Sequence, residues 1–508
     1  TDGATRARRK AWAVGLGAAL FVGCILAAYA WLRPGRTVDS IAVLPIVNES
    51  GDANVDYVSD GLTENLIQQL SHLRGLKVIA RSSILRYKGM NADPATVGRE
   101  LGVRAVLVGR MRTRDGQLLL NLELADAREQ NRLWGTQLQR PASDLVAIQD
   151  GVAHELIQHL GRLETDQDRQ AVDQGRIRAQ AESYELYLKG RYHAERYSPD
   201  DFQKALAYFD QAIAKDPKFA LAHAGKAYLW WTASGAFIPS REAMTRVREE
   251  ADQALALDPN LAEAWSARGQ ARAVLERDFP AAEADLRKAA VLNDGSAIVH
   301  QNLAFLLMAL GKEEEARGVL RKCLDLDPFS PFAHTFMGGT WFYQGDLPKA
   351  EQSLRKALTL DPENPISNFM LAWCLDRMGQ PKAAQPFLEA AVKSGSPWML
   401  GYQGFREARL GNKAKAQAIL KELQARMGQP GLYVSPYHLA MVHLGLREWD
   451  QALTWTEKCL PIQDEMTITL RVDPVWDELR GDPRFLALAK RAGHAGIALS
   501  RDQKTKKD

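Results

Sequence analysis

Histidines, clustered acids and cysteines are the side chains that could do chemistry in this 508-residue chain. Their spacing decides which chemistry is open to them. In HELIQH, His154 and His159 stand five apart, about 140° around a helix, whereas a zinc-protease pair needs four. Asp52, Asp56 and Asp60 in GDANVDYVSDG lack the acidic spacing and terminal Glu of a calcium loop. Cys24, Cys323, Cys374 and Cys459 lie far apart in no metal or disulfide pattern, and the last three read as small buried residues of a helical core. The chain carries no nucleophile elbow, Gly-rich phosphate loop or dinucleotide fingerprint. Hydrolytic and redox catalysis are therefore excluded, and no catalytic, metal or cofactor residue is expected. A net charge of +3 argues against nucleic-acid binding through this part of the protein.

Binding is the chemistry that remains, and a repeat carries it. Asp216-Pro217, Asp258-Pro259, Asn293-Asp294, Asp327-Pro328 and Asp361-Pro362 follow one another at 42, 35, 34 and 34 residues. A 34-residue period closed by proline is the tetratricopeptide signature. Within the unit from Ala297, Leu303, Ala304 and Leu307 precede Gly311, then Ala316, Leu320, Cys323 and Pro328; the next two units repeat the spacing. Small residues at Ala304, Gly338 and Ala372 let paired helices approach, and Gly311, Gly345 and Gly379 suit the turn between them. About eight units are expected over residues 184–465, stacked into a right-handed α-solenoid.

The first helix of each unit lines the concave side of such a stack. By spacing, Gln301, Phe305, Met308, Phe332, Thr335, Phe342, Phe369, Trp373 and Arg377 should face a protein or peptide partner there. Phe342 and Trp373 suit core packing equally well, because large aromatics dominate helical cores. Residues 466–499 resemble the closing segment of these arrays, and the charged tail 500–508 should be disordered.

Ahead of the repeats, residues 37–163 read β-α-β-α-β-β-β-α, an α/β domain with a mixed sheet. Ile41 to Val47 forms a strand, and a helix capped by Ser59 or Asp60 buries Leu62, Leu66, Ile67 and Leu70. Asp93-Pro94 opens a second helix, and Asp115-Gly116 turns a hairpin. The run SIAVLPIVNESGD…YVSDGLTENLIQQLSHLRGLKVIARSSILRYKG…DPATVGRELGVRAVLVGRM…LWGTQLQRPASDLVAIQD resembles the TolB amino-terminal-like domain of bacterial signalling proteins. With the flanking elements it resembles the extracytoplasmic half of receptor-type Ser/Thr protein kinases of the acidobacterial kind. Related arrangements follow winged-helix DNA-binding domains and class III adenylate cyclases. The resemblance implies an effector elsewhere in the protein and supplies no catalytic residue in this segment. ATP and Mg would enter only with a kinase domain, whose motifs these residues lack.

The stretch Ala11 to Leu32 holds 22 consecutive uncharged residues, about 33 Å as a helix, enough to cross a bilayer. A cleaved signal peptide would have a shorter apolar core, and a buried soluble helix would show a polar face. A single transmembrane helix over 11–32 is expected, behind a basic juxtamembrane segment at 1–10. Arg6, Arg8, Arg9 and Lys10 outweigh Arg33 and Arg36, so the N-terminal side should be cytoplasmic and residues after 33 periplasmic, at a bacterial inner membrane. Gly15, Ala19, Gly23 and Ala27 could pair two such helices in a homodimer. The chain opens on Thr1, so the expected effector would precede it. The alternatives to a kinase are a winged-helix regulator, an adenylate cyclase or a stand-alone scaffold.

Overall fold

The computed structural model describes residues 38–52, 55–141, 144–160, 179–196, 198–429 and 431–494. The expected span 11–32, its basic flank and the tail 500–508 lie outside them. Among the described residues no helix is long and apolar enough to cross a membrane.

Alternating apolar residues build the first domain around a mixed sheet. Strands β1 (Ser40–Val43), β3 (Lys77–Val78) and β4 (Ala105–Arg114) run parallel, with β1 between the other two. β5 (Gln117–Asp126) and β6 (Asn131–Pro141) extend the sheet antiparallel beyond β4. β1 is apolar on both faces because both are covered. Ile41 and Val43 join the core under the helices Asp56–Ser71 and Leu145–His159. Ala42 and Leu44 join a smaller core with Val97 and Leu101 of the helix Pro94–Leu101.

Two local expectations need correction. The strand Ile41 to Val47 is two strands, because Pro45 offers no N–H. The chain leaves β1 after Val43, and Ile46 N–H donates to Thr63 Oγ1 at 3.0 Å. β2 (Val47–Asn48) then pairs farther along β4. The first helix also starts earlier than Ser59, at Asp56, with no side-chain cap; Ser59 lies inside it, donating to Asp56 O at 2.9 Å. Asp93 caps the helix Pro94–Leu101 as expected, accepting from Thr96 N–H at 3.0 Å. Asp115 and Gly116 turn the β4–β5 hairpin with φ of 52° and 72°.

Eight antiparallel helix pairs follow among the described residues. The first is Ala181–Ala194 with Pro199–Lys215, and the last is Pro436–Leu446 with Trp449–Cys459. The three regular units are Ala297–Ala309 with Glu313–Leu326, Pro331–Gln344 with Leu347–Leu360, and Pro365–Arg377 with Pro381–Val392. Gly311, Gly345 and Gly379 hold positive φ at their turns, a conformation glycine adopts without steric cost. Ala316, Leu320, Ala350, Leu354, Ala384 and Leu388 are fully buried at matching repeat positions.

The sheet domain and the solenoid share one apolar core. Leu62 and Leu66 pack in the same cluster as Tyr184, Leu188 and Phe209 of the first helix pair. The approach is close enough that a Cβ at Gly61 would sit 2.7 Å from Leu188 Cδ2. Around this contact Arg81 and Arg191 pair with Glu64 and Glu195.

Candidate partner-binding groove

The first helices of consecutive units carry aromatic side chains that meet across the repeat interfaces. Trp373 sits 5.0 Å from Phe342, 5.5 Å from Phe369 and 5.1 Å from Tyr402, centroid to centroid. Phe369 also meets Trp398 at 4.5 Å. A second group toward the N-terminal side joins Phe332 to Phe336 at 4.1 Å and Phe336 to Phe305 at 5.6 Å.

Exposure separates these two groups. Phe342, Phe369, Trp373, Met308 and Thr335 are buried; Thr335 shares a 2.6 Å hydroxyl hydrogen bond with Ser367. Phe305 is 38% exposed and Ile298 40%, with Gln301, Phe332 and Phe336 half-buried beside them. Arg377 places its guanidinium 5.2 Å from the Phe342 ring centroid and 4.0 Å from Asp477. Thus Gln301, Phe305 and Phe332 offer surface to a partner, and Arg377 offers a charged edge. The other five expected groove residues are packed within the protein.

Neighbouring first helices bury them, and the chain's own C-terminal segment adds to the same core. After Cys459 the chain turns back along the edge where the first helices end, through short turns at Glu465–Thr469 and Pro474–Leu479 and the helix Pro483–Ala489. It meets one unit after another on the way. Leu460 O accepts from Arg277, and Gln463 donates to Leu275 O. Glu465 accepts from Ser234 Oγ at 2.7 Å, and Arg471 and Val472 pass over Gly311. Asp473 accepts from Tyr437 OH at 2.5 Å, and Tyr437 OH accepts from Trp476 Nε1 at 2.9 Å. Leu470, Val472, Trp476, Leu479 and Phe485 then complete the same core as Met308, Phe342, Phe369 and Trp373.

Burial dominates the electrostatics of this segment. It pushes the Glu465 carboxyl up to about 7 and Asp473 up to about 6, against the pull of their hydroxyl donors Ser234 and Tyr437. Asp464, which accepts from Tyr433 OH at 2.6 Å, is raised for the same reason. Desolvation disfavours the charged form of any carboxyl without a close cation.

The opposite edge of the solenoid, where second helices hand over to the next unit, carries the sheet domain. Asp327 accepts from the Ser82 and Ser83 hydroxyls, Ala80 N–H donates to Leu326 O at 2.8 Å, and Phe329 N–H donates to Ser83 Oγ at 3.0 Å. Arg86 stacks over Phe329 at 4.3 Å. Sequence reasoning missed these residues, because Asp327 is one of several aspartates at the same repeat position and nothing local marks its partner.

The first domain's histidines and aspartates meet ordinary partners, Asp56 accepting from Asn48 Nδ2 at 2.8 Å. His154 and His159 are exposed and bond within their own helix. Among the described residues no group of His, Cys, Asp or Glu could hold a metal. Cys323, Cys374 and Cys459 are free and buried.

These features define an α/β domain with a mixed sheet followed by a tetratricopeptide solenoid. Residues 37–155 match the family described as "HilA/YgeH-like transcriptional regulator, second domain". Residues 297–330 and 342–396 match tetratricopeptide-repeat families. The chain is 34% identical over 186 residues to "Putative adenylate cyclase 3" of Rhizobium meliloti (strain 1021), covering 36% of this chain and 31% of that protein. It is 28% identical over 145 residues to "Transcriptional regulator HilA" of Salmonella paratyphi A, covering 28% of this chain and 26% of that protein. The chain thus spans about a third or less of the length of these relatives. Solved structures similar to it include YrrB, described as a TPR protein with an unusual peptide-binding site, at 19% identity and a TM-score of 0.27, covering 36% of this chain and 91% of that one. PilW, a type IV pilus biogenesis factor, is similar at 18% identity and a TM-score of 0.35, covering 42% and 92%.

Proposed function

We propose that this chain is the non-catalytic, partner-binding region of a bacterial signalling protein whose effector lies elsewhere in the full polypeptide. A protein or peptide docks on the solenoid, and the α/β domain passes that event toward the effector. The observation that carries this reading is the shared core of the sheet domain and the first repeats, since a load on the solenoid cannot be held apart from the sheet.

For the effector, the similarity to an adenylate cyclase and to a transcriptional regulator favours a nucleotide cyclase or a DNA-binding regulator. The receptor-type Ser/Thr kinase arrangement, with its TolB-like domain, rests on the sequence resemblance over residues 39–160. In each arrangement the span at 11–32 anchors the chain in the inner membrane, with the binding region outside and the effector in the cytoplasm. Pairing of spans through Gly15, Ala19, Gly23 and Ala27 would give the dimer that carries a signal across.

The test is a displayed peptide library panned against the chain. Binders should lose affinity on Phe305→Glu or Phe332→Glu and keep it on Phe387→Glu, a half-buried aromatic on a second helix. An absence of binders, or binders indifferent to Phe305 and Phe332, would sink the reading.

A further inference from the structure

We propose that the first-helix edge of the solenoid is a binding site for an acidic, tryptophan-bearing turn segment, and that the chain's own residues 464–489 occupy it in cis. This goes beyond the proposed function, on which it rests, by adding a second site with its own ligand chemistry and its own means of closure.

The segment is held as a ligand is held. Its largest apolar side chain, Trp476, is fully buried among Leu470, Val472 and Leu479 of the segment and stacks 4.9 Å from the segment's own Phe485. The indole N–H donates to Tyr437 OH, whose own proton goes to Asp473. Outside the anchor lies a basic rim contributed by three successive first helices or their ends. Arg377 stands 4.0 Å from Asp477, Arg447 stands 3.1 Å from Glu478, and Arg409 also pairs with Glu478. A buried aromatic anchor inside a charged rim is the usual anatomy of a binding hot spot.

Two features point to an occupant and against one more repeat of the stack. Its secondary structure is two short turns and a seven-residue helix, so side chains do most of the holding. It also folds on itself through Arg480, which donates to Arg471 O and Asp473 O. A peptide that offers an acidic pair next to a tryptophan after such a turn presents the same groups to Tyr437 and the three arginines. Partner binding and release of the segment are then one exchange reaction.

The experiment uses the full chain. A fluorescent peptide of sequence 464–489 is titrated against the parent, against Trp476→Ala, and against Asp477→Arg/Glu478→Arg. The parent should bind it at least about a hundredfold more weakly than Trp476→Ala, because that substitution empties the site in cis. Trypsin should cut after Arg480, 5% exposed in the parent, in both variants and not in the parent. Rescue supplies the second arm: Arg377→Glu/Arg409→Glu/Arg447→Glu combined with Asp477→Arg/Glu478→Arg should regain protection at Arg480. Equal peptide affinity for parent and Trp476→Ala, or no recovery of protection in the charge-swapped chain, overturns the proposal. A chain that takes this peptide but no library peptide sensitive to Phe305 retains the site and loses the broader function; the converse result loses the site alone.

Discussion

Asp327→Ala measures how much of the stability comes from docking the sheet domain on the repeat edge. Asp216, Asp258, Asp327 and Asp361 all end second helices at one repeat position. Asp327 is 4% exposed and accepts from both Ser82 and Ser83, whose own exposure for Ser83 is 0%. Truncation strands the buried Ser83 hydroxyl, whereas Ser82 is exposed and can turn to solvent. Hydrogen bonds to a charged acceptor contribute about 1.5–3 kcal/mol each, and neutral ones about 0.5–1.5. Burial pushes the Asp327 carboxyl up despite its hydroxyl donors, so the acceptor's own desolvation offsets part of that gain. The expected loss is about 1.5–3 kcal/mol, that of one buried bond to a charged acceptor. Asp361, half-exposed and accepting from Asn364 at 3.1 Å, is the matched control, and Asp361→Ala should cost less than about 1 kcal/mol. Urea unfolding followed by tryptophan fluorescence gives both numbers. Equal losses at the two positions would refute the claim that Asp327 joins the domains.

The buried carboxyls set a pH dependence with a definite sign. Glu465 rises from 4.5 to about 7 and Asp473 from 3.8 to about 6 on folding, so the folded chain holds more protons, and this contribution is full below about pH 4 and lost as pH rises through 6 to 7. The groups facing them are Asp464, Tyr433, Tyr437, Asp477 and Arg480. The urea midpoint should therefore fall between pH 5 and pH 8, less so in Glu465→Gln, and a midpoint that rises over that range contradicts the assignment. Thiol chemistry gives another check. Burial pushes Cys323 up to about 12 and Cys374 up to about 11, with Cys459 well above its ordinary range. In a Cys24→Ser chain, a thiol-specific disulfide reagent at pH 8 should label these three only after denaturant is added; rapid labelling of the native chain would show a core looser than described.

The local rules of the chain were enough for its classes of structure. Apolar runs marked the strands, Asp93-Pro94 and Asp115-Gly116 marked a helix start and a hairpin, and the 34-residue Asp-Pro period marked the repeats. These are short-range decisions, made by backbone sterics, capping and helix periodicity. Pro45 was as visible as any of them, yet its effect depended on where Thr63 would stand to receive Ile46 N–H.

The tertiary structure decided the groove. Periodicity placed Phe305, Phe342 and Trp373 on one face of their helices, but the pattern of apolar positions is the same whether a partner or the chain itself covers that face. Adjacent units settled it for Phe342 and Trp373, which meet each other and Tyr402 across the repeat interfaces, and Asp327 was singled out from its repeat equivalents only by Ser82 and Ser83. Such contacts join residues far apart in sequence, and their energy depends on what each group finds after folding.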